Sequence, residues 1–357
     1  MVETLEIAGR RVGSGEPCYI IAEVGVNHNG DPELAKRLIV EAKRAGADCV
    51  KFQTFKAERL VVKESPKANY QLRTTDPTES QMEMLRKLEL GTDDYSELLA
   101  LCLREKITFL STPYNVEDVD FLQGLRVEAF KIASAMLVET SFLQYVARKG
   151  KPALLSTGMA TLAEVDDAVR AFRETGNDQL VLLQCTTDYP ASSQDANLRA
   201  MQTMQTAFGV PVGYSDHTQS PTACVLAIGL GAKVIEKHFT LDKSLPGPDQ
   251  SSSADPTEFR QLVTVIREAE AALGNGRKQP TESERANIAS MRRSIAARQF
   301  IAAGTTITEE MLTFKRPATG IPPRELPQVV GATARVSIGP DRLLEWWMLE
   351  RPKNSHS

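Results

Sequence analysis

At 357 residues the chain is long enough for two domains of roughly 150 residues each, or for one large domain with an appendage. Its 42% hydrophobic and 25% charged residues are those of a soluble globular protein with a sizeable core. A formal net charge of −4 points neither to nucleic acid nor to an anionic membrane as a partner.

The opening stretch, "MVETLEIAGRRVGSGEPCYII", has no basic head followed by a long apolar run, so no signal peptide is expected. No apolar run approaches the roughly 18 residues of a membrane span. The cysteines (Cys18, Cys49, Cys102, Cys185, Cys224) are scattered, odd in number and free of CxxC spacing. They are expected as reduced core thiols of a cytoplasmic protein, with a catalytic Cys185 as the remote alternative.

One grammar then repeats along the chain: short, mostly β-branched apolar runs alternate with helical stretches. The strand-like runs are "YIIAEVGVN" (19–27), "CVKFQTF" (49–55), "ITFLSTP" (107–113) and "AFKIAS" (129–134). "ALLSTG" (153–158), "LVLLQCT" (180–186), "VPVGYSD" (210–216) and "KVIEKHFT" (233–240) follow. The stretch 31–47 predicts a helix, with Asp31 as N-cap, Pro32 at the first position and Gly46 at its end. A second is predicted over 161–176, where Thr161 and Glu164 form a capping box and Gly176 closes. Eight such units in about 270 residues predict a (β/α)8 TIM barrel. A doubly wound sheet is the alternative, but the sequence has no GxGxxG.

After residue 274 the grammar changes. The barrel is expected over 1–274, a Gly-, Pro- and polar-rich linker over 275–289, a small β-rich domain over 290–351 and a frayed tail over 352–357.

Barrel enzymes place their reacting groups at the C-terminal ends of the strands, and the polar residues of this chain gather there. They include Glu23, Lys51, Gln53, Lys131, Ser134, Ser156, Tyr189 and Ser215. Three of the four histidines, His28, His217 and His238, stand at the same ends. By period two, Glu236 and His238 share a face and point into the barrel, whereas Lys237 takes the other. Lys237 is therefore expected as a loop-side or supporting charge rather than a phosphate contact. If strands seven and eight are neighbours, His217 and His238 converge and suit a divalent metal such as Mn²⁺, the alternative being two hydrogen-bonded histidines without metal. Lys51 and Lys131, with the hydroxyls of Ser134, Ser156 and Ser215, suit an anion carrying phosphate and carboxylate. A Schiff base on one of these lysines is the competing use.

The stretches "IAEVGVNHNG" (21–30), "KFQTF" (51–55), "STPY" (111–114), "FKIAS" (130–134) and "LSTGM" (155–159) resemble the sialic acid synthase family. So do "CTTDYP" (185–190), "GYSDHT" (213–218), "IEKHFTLDKS" (235–244), "GPD" (247–249) and "KRPATGI" (315–321), in the same order. The resemblance implies a TIM barrel followed by an SAF, antifreeze-protein-like domain, in a domain-swapped homodimer. It implies condensation of phosphoenolpyruvate with an N-acetylmannosamine-type sugar, giving a nine-carbon sialic acid and phosphate. The same chemistry on a 2,4-diacetamido-trideoxy hexose, as in legionaminic or pseudaminic acid synthases, is the alternative acceptor.

Carried over residue by residue, His217 and His238 match the metal ligands, for Mn²⁺ with Mg²⁺ or Co²⁺ as alternatives. Lys51, Lys131, Ser134, Ser156 and Ser215 match phosphoenolpyruvate-binding positions, and Glu23 the acidic residue beside the attacking water. Gln53, Tyr189 and Asp249 match sugar-binding positions, and Arg316 is similar to an arginine supplied by the partner's small domain. The sequence departs from the family at Ala135–Met136, where Gly-Glu is common, so a carboxylate expected on the sugar is missing. It departs also at Gln250, where histidine is common, and at Thr187, where some members have asparagine.

Overall fold

A computed structural model describes residues 4–350. The chain divides after Gly274 into two compact units.

The first unit begins with an antiparallel hairpin, β1 (Thr4–Ile7) and β2 (Arg10–Gly13). Eight strands follow: β3 (Tyr19–Gly25), β4 (Cys49–Thr54), β5 (Thr108–Pro113), β6 (Phe130–Ile132), β7 (Ala153–Ser156), β8 (Leu180–Cys185), β9 (Val212–Asp216) and β10 (Val234–His238). They pair in parallel in the order β5-β4-β3-β10-β9-β8-β7-β6, and β5 lies beside β6 to close the ring. The expected barrel is therefore present. Most strands stop short of the predicted ends: beyond about Gly25, Ile132 or Ser156 the chain leaves the ladder for a βα loop that carries site residues.

The helices of the outer layer are α1 (Pro32–Arg44), α2 (Thr92–Glu105), α3 (Val116–Gly124), α4 (Thr140–Ala147), α5 (Leu162–Arg173), α6 (Arg199–Phe208), α7 (Thr222–Gly229) and α8 (Pro256–Leu273). In α1 the Asp31 side chain accepts from the Glu33 amide, and Ala35, Leu38, Ile39 and Ala42 form the buried stripe. Thr161 and Glu164 close their capping box at the start of α5. Both helices end a few residues before the predicted limits, ahead of Gly46 and Gly176, whose φ values of 94° and 86° no helix continues.

Alternation along the strands sorts side chains into two cores. Outward residues such as Ile20, Val50, Phe130, Leu182 and Ile235 pack against the helices. Inward residues Tyr19, Ile21, Cys49, Leu154, Val181 and Val234 join Leu5, Ile7 and Val12 of the hairpin, which plug the closed end. Between β4 and α2 a roof segment carries three short helices, Ala57–Leu60, Asn69–Thr74 and Gln81–Arg86. The buried Lys67 ammonium ties this segment together by donating to Thr75 Oγ1 at 2.9 Å, the Asp76 carbonyl at 2.6 Å and Glu79 Oε1 at 2.9 Å.

In the second unit, β11 (Ser294–Ala297) pairs antiparallel with β12 (Leu312–Lys315), and β13 (Thr333–Ala334) with β14 (Leu349–Glu350). Ile295, Ile301, Ile307, Val329, Ile338 and Leu344 form its core. The stretch expected as a linker is not structureless: α9 (Glu282–Met291) occupies its second half. The signal was present as a capping box, Thr281 to Glu284. It was masked because α9 buries no residue and so has no apolar stripe. The tail expected at 352–357 lies outside the described residues.

Candidate active site

The inward register that is apolar at the closed end becomes polar toward the mouth. On β3 it runs Tyr19, Ile21, Glu23; on β4 Cys49, Lys51, Gln53; on β10 Val234, Glu236, His238. These ends line a cavity of about 370 Å³ that also takes in Lys131, Ser134, Ser156, Tyr189, Ser215, His217 and Asp249. Every barrel residue singled out in the sequence for catalysis or binding is thus in one place. Arg316 belongs to the second unit, where it is exposed. A β-bulge after Glu23 places Gly25 at φ 56°, and a Cβ there would lie 3.2 Å from Glu23 Oε1 and 3.3 Å from Gln53 Nε2. The left-handed dihedral favours glycine, and a Cβ would press on both side chains.

At the base of the cavity four buried charges interlock. Lys51 Nζ is 2.7 Å from Glu23 Oε2 and 3.8 Å from Glu236 Oε2, and it donates to Thr112 Oγ1 at 3.2 Å. Lys131 Nζ is 3.5 Å from Glu236 Oε1, which also accepts from Ser215 Oγ at 2.9 Å. Burial would raise Glu236, but Lys131, Lys51 and the Ser215 hydroxyl outweigh it and hold the carboxyl low. Burial pushes Glu23 up; Lys51 pulls it back only in part, and Glu236 adds to the rise. Burial likewise takes Lys131 below the usual lysine range against the pull of Glu236. Lys51 stays high because Glu23 and Glu236 overcome its burial. Glu236 thus stays ionised between the two lysines while Glu23 is poised to exchange a proton.

Beside this cluster stand hydroxyls with capacity to spare. Ser134 Oγ accepts from the Gly158 amide at 3.0 Å, and the buried Ser156 Oγ has no partner. A Cβ at Gly158 would come within 2.8 Å of Ser134 Oγ, so this turn can approach only as glycine.

The two imidazoles converge with ring centroids 5.4 Å apart. His217 Nδ1 lies 2.7 Å from the Thr186 carbonyl, which assigns its proton to Nδ1 and leaves Nε2 as a lone-pair donor. His238 Nδ1 is buried without a hydrogen-bond partner, 4.0 Å from Asp249 Oδ2. Burial and the neighbouring His217 hold His238 well below the histidine range, hence neutral. Burial would lower His217 too, but Cys185 and the Thr186 carbonyl outweigh it. The unpartnered His238 Nδ1 and the lone pair left on His217 Nε2 are donors of the kind a divalent cation takes. Among the described residues no group of three or more His, Cys, Asp or Glu side chains forms a complete metal cage, so water or substrate would complete the coordination.

The residues matched to sugar binding form the cavity's upper wall. Gln53 donates to Glu23 Oε1 at 3.3 Å and accepts from Tyr114 OH at 3.2 Å. Tyr189 packs on His217 at 4.2 Å and on Tyr70 at 4.9 Å. Burial pushes Asp249 up to about 6. Tyr70, Tyr114, Thr112 and Glu236 are among the members not assigned a role from the sequence. Glu236 and Tyr114 lay inside quoted motifs, but Tyr70 sits in the roof segment, where no periodicity marked it. Cys185 also faces the cavity, its Sγ 3.9 Å from His217 Nδ1.

Lys237 faces outward and is buried in an ion pair with Asp216 at 2.7 Å, so it braces β9 and β10 rather than the ligand. Met136 is packed in the outer core, whereas Ala135 faces the cavity. Gln250 is buried and donates to the Asn27 carbonyl at 2.9 Å, holding two loops together. A larger depression of about 900 Å³ between α1 and α2 is lined by surface charges such as Lys36, Glu41 and Glu97.

A (β/α)8 barrel with a buried cluster of lysines and glutamates and paired imidazoles at its C-terminal mouth has the layout of a barrel enzyme's active site. The NeuB family model matches residues 38–278, and the SAF domain model matches 292–350. The chain is 47% identical to the N,N'-diacetyllegionaminic acid synthase of Legionella pneumophila, over 95% of this chain and 96% of that one. It is 44% identical to the enzyme of the same name from Campylobacter jejuni, over 91% and 98%. Among solved structures it resembles the N-acetylneuraminic acid (sialic acid) synthetase of Leptospira borgpetersenii, determined with citrate, at TM-score 0.71 and 34% identity, covering 80% and 95% of the two chains. The chain belongs to the NeuB family, and it is an enzyme of the sialic acid synthase type, forming a carbon–carbon bond with phosphoenolpyruvate. No helix among the described residues is long and apolar enough to cross a membrane.

Proposed function

We propose that the enzyme condenses phosphoenolpyruvate with the aldehyde of a 2,4-diacetamido-trideoxy hexose, giving a legionaminic-type acid and phosphate. N-acetylmannosamine is the competing acceptor. Two buried ammonium groups and an unpartnered serine hydroxyl next to two imidazoles carry the reaction class. The two relatives named N,N'-diacetyllegionaminic acid synthase favour the first sugar.

In this mechanism Lys131, Ser134 and Ser156 hold the phosphate, and Lys51 with Ser215 holds the carboxylate. Gln53, Tyr189 and Asp249 orient the sugar so that its aldehyde carbon meets the enol carbon of phosphoenolpyruvate. His217 and His238 would hold a divalent cation such as Mn²⁺, with Mg²⁺ or Co²⁺ as alternatives, which would polarise the aldehyde oxygen. As the new carbon–carbon bond forms, positive charge develops at C2 of phosphoenolpyruvate, and water adds there. Glu23 orients this water and takes its proton, which its raised pKa suits it to do. Collapse of the tetrahedral adduct breaks the carbon–oxygen bond to phosphate, which leaves with the adduct's hydroxyl proton. The proton taken by Glu23 passes to the alkoxide formed from the aldehyde oxygen, leaving the keto acid.

The test is phosphate release from phosphoenolpyruvate with each sugar, before and after chelation. Release with a sugar that chelation abolishes is the expected result; no release with any sugar overturns the proposal. A second reading, a Schiff-base keto-acid lyase, draws on the lowered pKa of Lys131. Borohydride trapping of pyruvate on the enzyme would favour it.

The homodimer and the service of Arg316 to the partner's mouth belong to the same proposal. Verified heterodimers of Arg316→Ala and Glu23→Ala chains recover part of the activity if sites are shared, and none if they are not. The five buried free thiols suit a reducing compartment, and we place the reaction in the cytoplasm.

A further inference from the structure

The ions and imidazoles occupy only part of the mouth. Another part of the same cavity is walled by Val26, Leu60, Val61, Met84, Leu85 and Leu88, from the loop after β3 and from the roof segment. Of these, Val26, Leu60, Met84, Leu85 and Leu88 pack with Phe55 and Tyr114 as a small cluster of their own, apart from both barrel cores, and Val61 lines the cavity beside them. Two amides share this part of the cavity, with Gln81 donating to Gln71 Oε1 at 3.3 Å.

Phosphoenolpyruvate has no use for such a wall, because its phosphate and carboxylate need cations and hydroxyls. Of the two substrates, it is the acceptor that can use such a wall. A hexose carrying only hydroxyls at its far end would lose hydration there without gaining partners, which disfavours it. A deoxy carbon or an acetamido methyl gains by leaving water for the same surface, and an acetamido N–H and C=O match the donor and acceptor of a glutamine side chain.

We infer that this aliphatic alcove is the specificity-determining subsite for the far end of the acceptor, taking its deoxy and acetamido methyl groups. The inference rests on the synthase reading above. Leu60, Val61 and Leu85 are only half-buried and border the open cavity, whereas Met84 and Leu88 are buried and hold the wall in place.

The test compares kcat/KM for the 2,4-diacetamido-trideoxy hexose and for N-acetylmannosamine in the wild type, Leu85→Gln and Val61→Thr. In the wild type the first sugar is favoured by at least about tenfold, the discrimination that one or two apolar groups supply. Each variant lowers that ratio by about tenfold, and Leu85→Met, which keeps an apolar surface, retains it. The KM for phosphoenolpyruvate and the melting temperature report damage to the rest of the site or to the fold. Variants in which both sugars lose rate alike, or a wild type that prefers N-acetylmannosamine, overturn the subsite while the synthase reading stands. Absence of phosphate release with either sugar overturns the synthase reading, and the subsite falls with it.

Discussion

The closed end and the mouth of the barrel are built on the same inward register of the same strands. At the closed end that register holds Tyr19, Ile21, Leu154, Val181 and Val234, sealed by Leu5, Ile7 and Val12. Two or four residues further along β3, β7 and β10 it holds Glu23, Ser156, Glu236 and His238. Burying an aliphatic side chain stabilises by about 1.5–3 kcal/mol, whereas a buried ion costs several kcal/mol unless it is well paired. Stability is therefore concentrated below and chemistry above. The mouth keeps its ions because Glu236 stands between Lys51 and Lys131, and Lys51 also contacts Glu23, until a substrate anion arrives.

This division can be broken most sharply at the imidazoles. His217→Ala and His238→Ala are each expected to lower metal-dependent phosphate release by about 10²–10³-fold, with little change in the unfolding midpoint of metal-free protein. Leu154→Ala, at the closed end, is expected to cost about 2–5 kcal/mol of stability in a urea titration, while kcat per folded molecule stays near wild type. If the histidine variants lose mainly stability, or the leucine variant mainly rate, the division fails.

A subtler separation comes from Glu23. Its raised pKa favours the neutral form, so the ionised base is lost as pH falls through a value above the ordinary carboxylate range. The acid limb of the rate profile should lie correspondingly high, and Glu23→Gln should remove that limb along with most of the rate. Stability runs the other way. The folded state binds this proton more tightly than the unfolded chain, so the group's contribution is present at low pH and is lost as pH rises through the folded value. The stability of Glu23→Gln relative to the wild type should therefore rise as pH rises through that value. A wild-type acid limb at the position of an ordinary glutamate would remove Glu23 from the role of base.

Much of this was legible in the chain because it is local. Period-two alternation separated Glu236 and His238 from Lys237, and the Asp31 and Thr161 caps set the starts of α1 and α5. The count of strand–helix units pointed to a barrel, and barrel geometry then indicated which strand ends would carry chemistry. Helix α9 escaped because it buries no stripe, although its capping box was written in the sequence. Tyr70 escaped because the roof segment has no period at all. Its place against Tyr189 depends on contacts such as the three bonds of Lys67 and that of Thr74 Oγ1 to the Pro248 carbonyl, 174 residues away.

The sequence by itself determined the barrel, the ends of the strands that matter and the residue types gathered there. Tertiary structure alone decided that Glu236 is shared by two lysines, that Lys237 is spent on Asp216, and that Met136 turns into the outer core. It decided as well that an aliphatic wall from the roof segment faces the ions. The physical reason is range: alternation and capping act over a few residues, whereas these partnerships form only when the ring of strands closes.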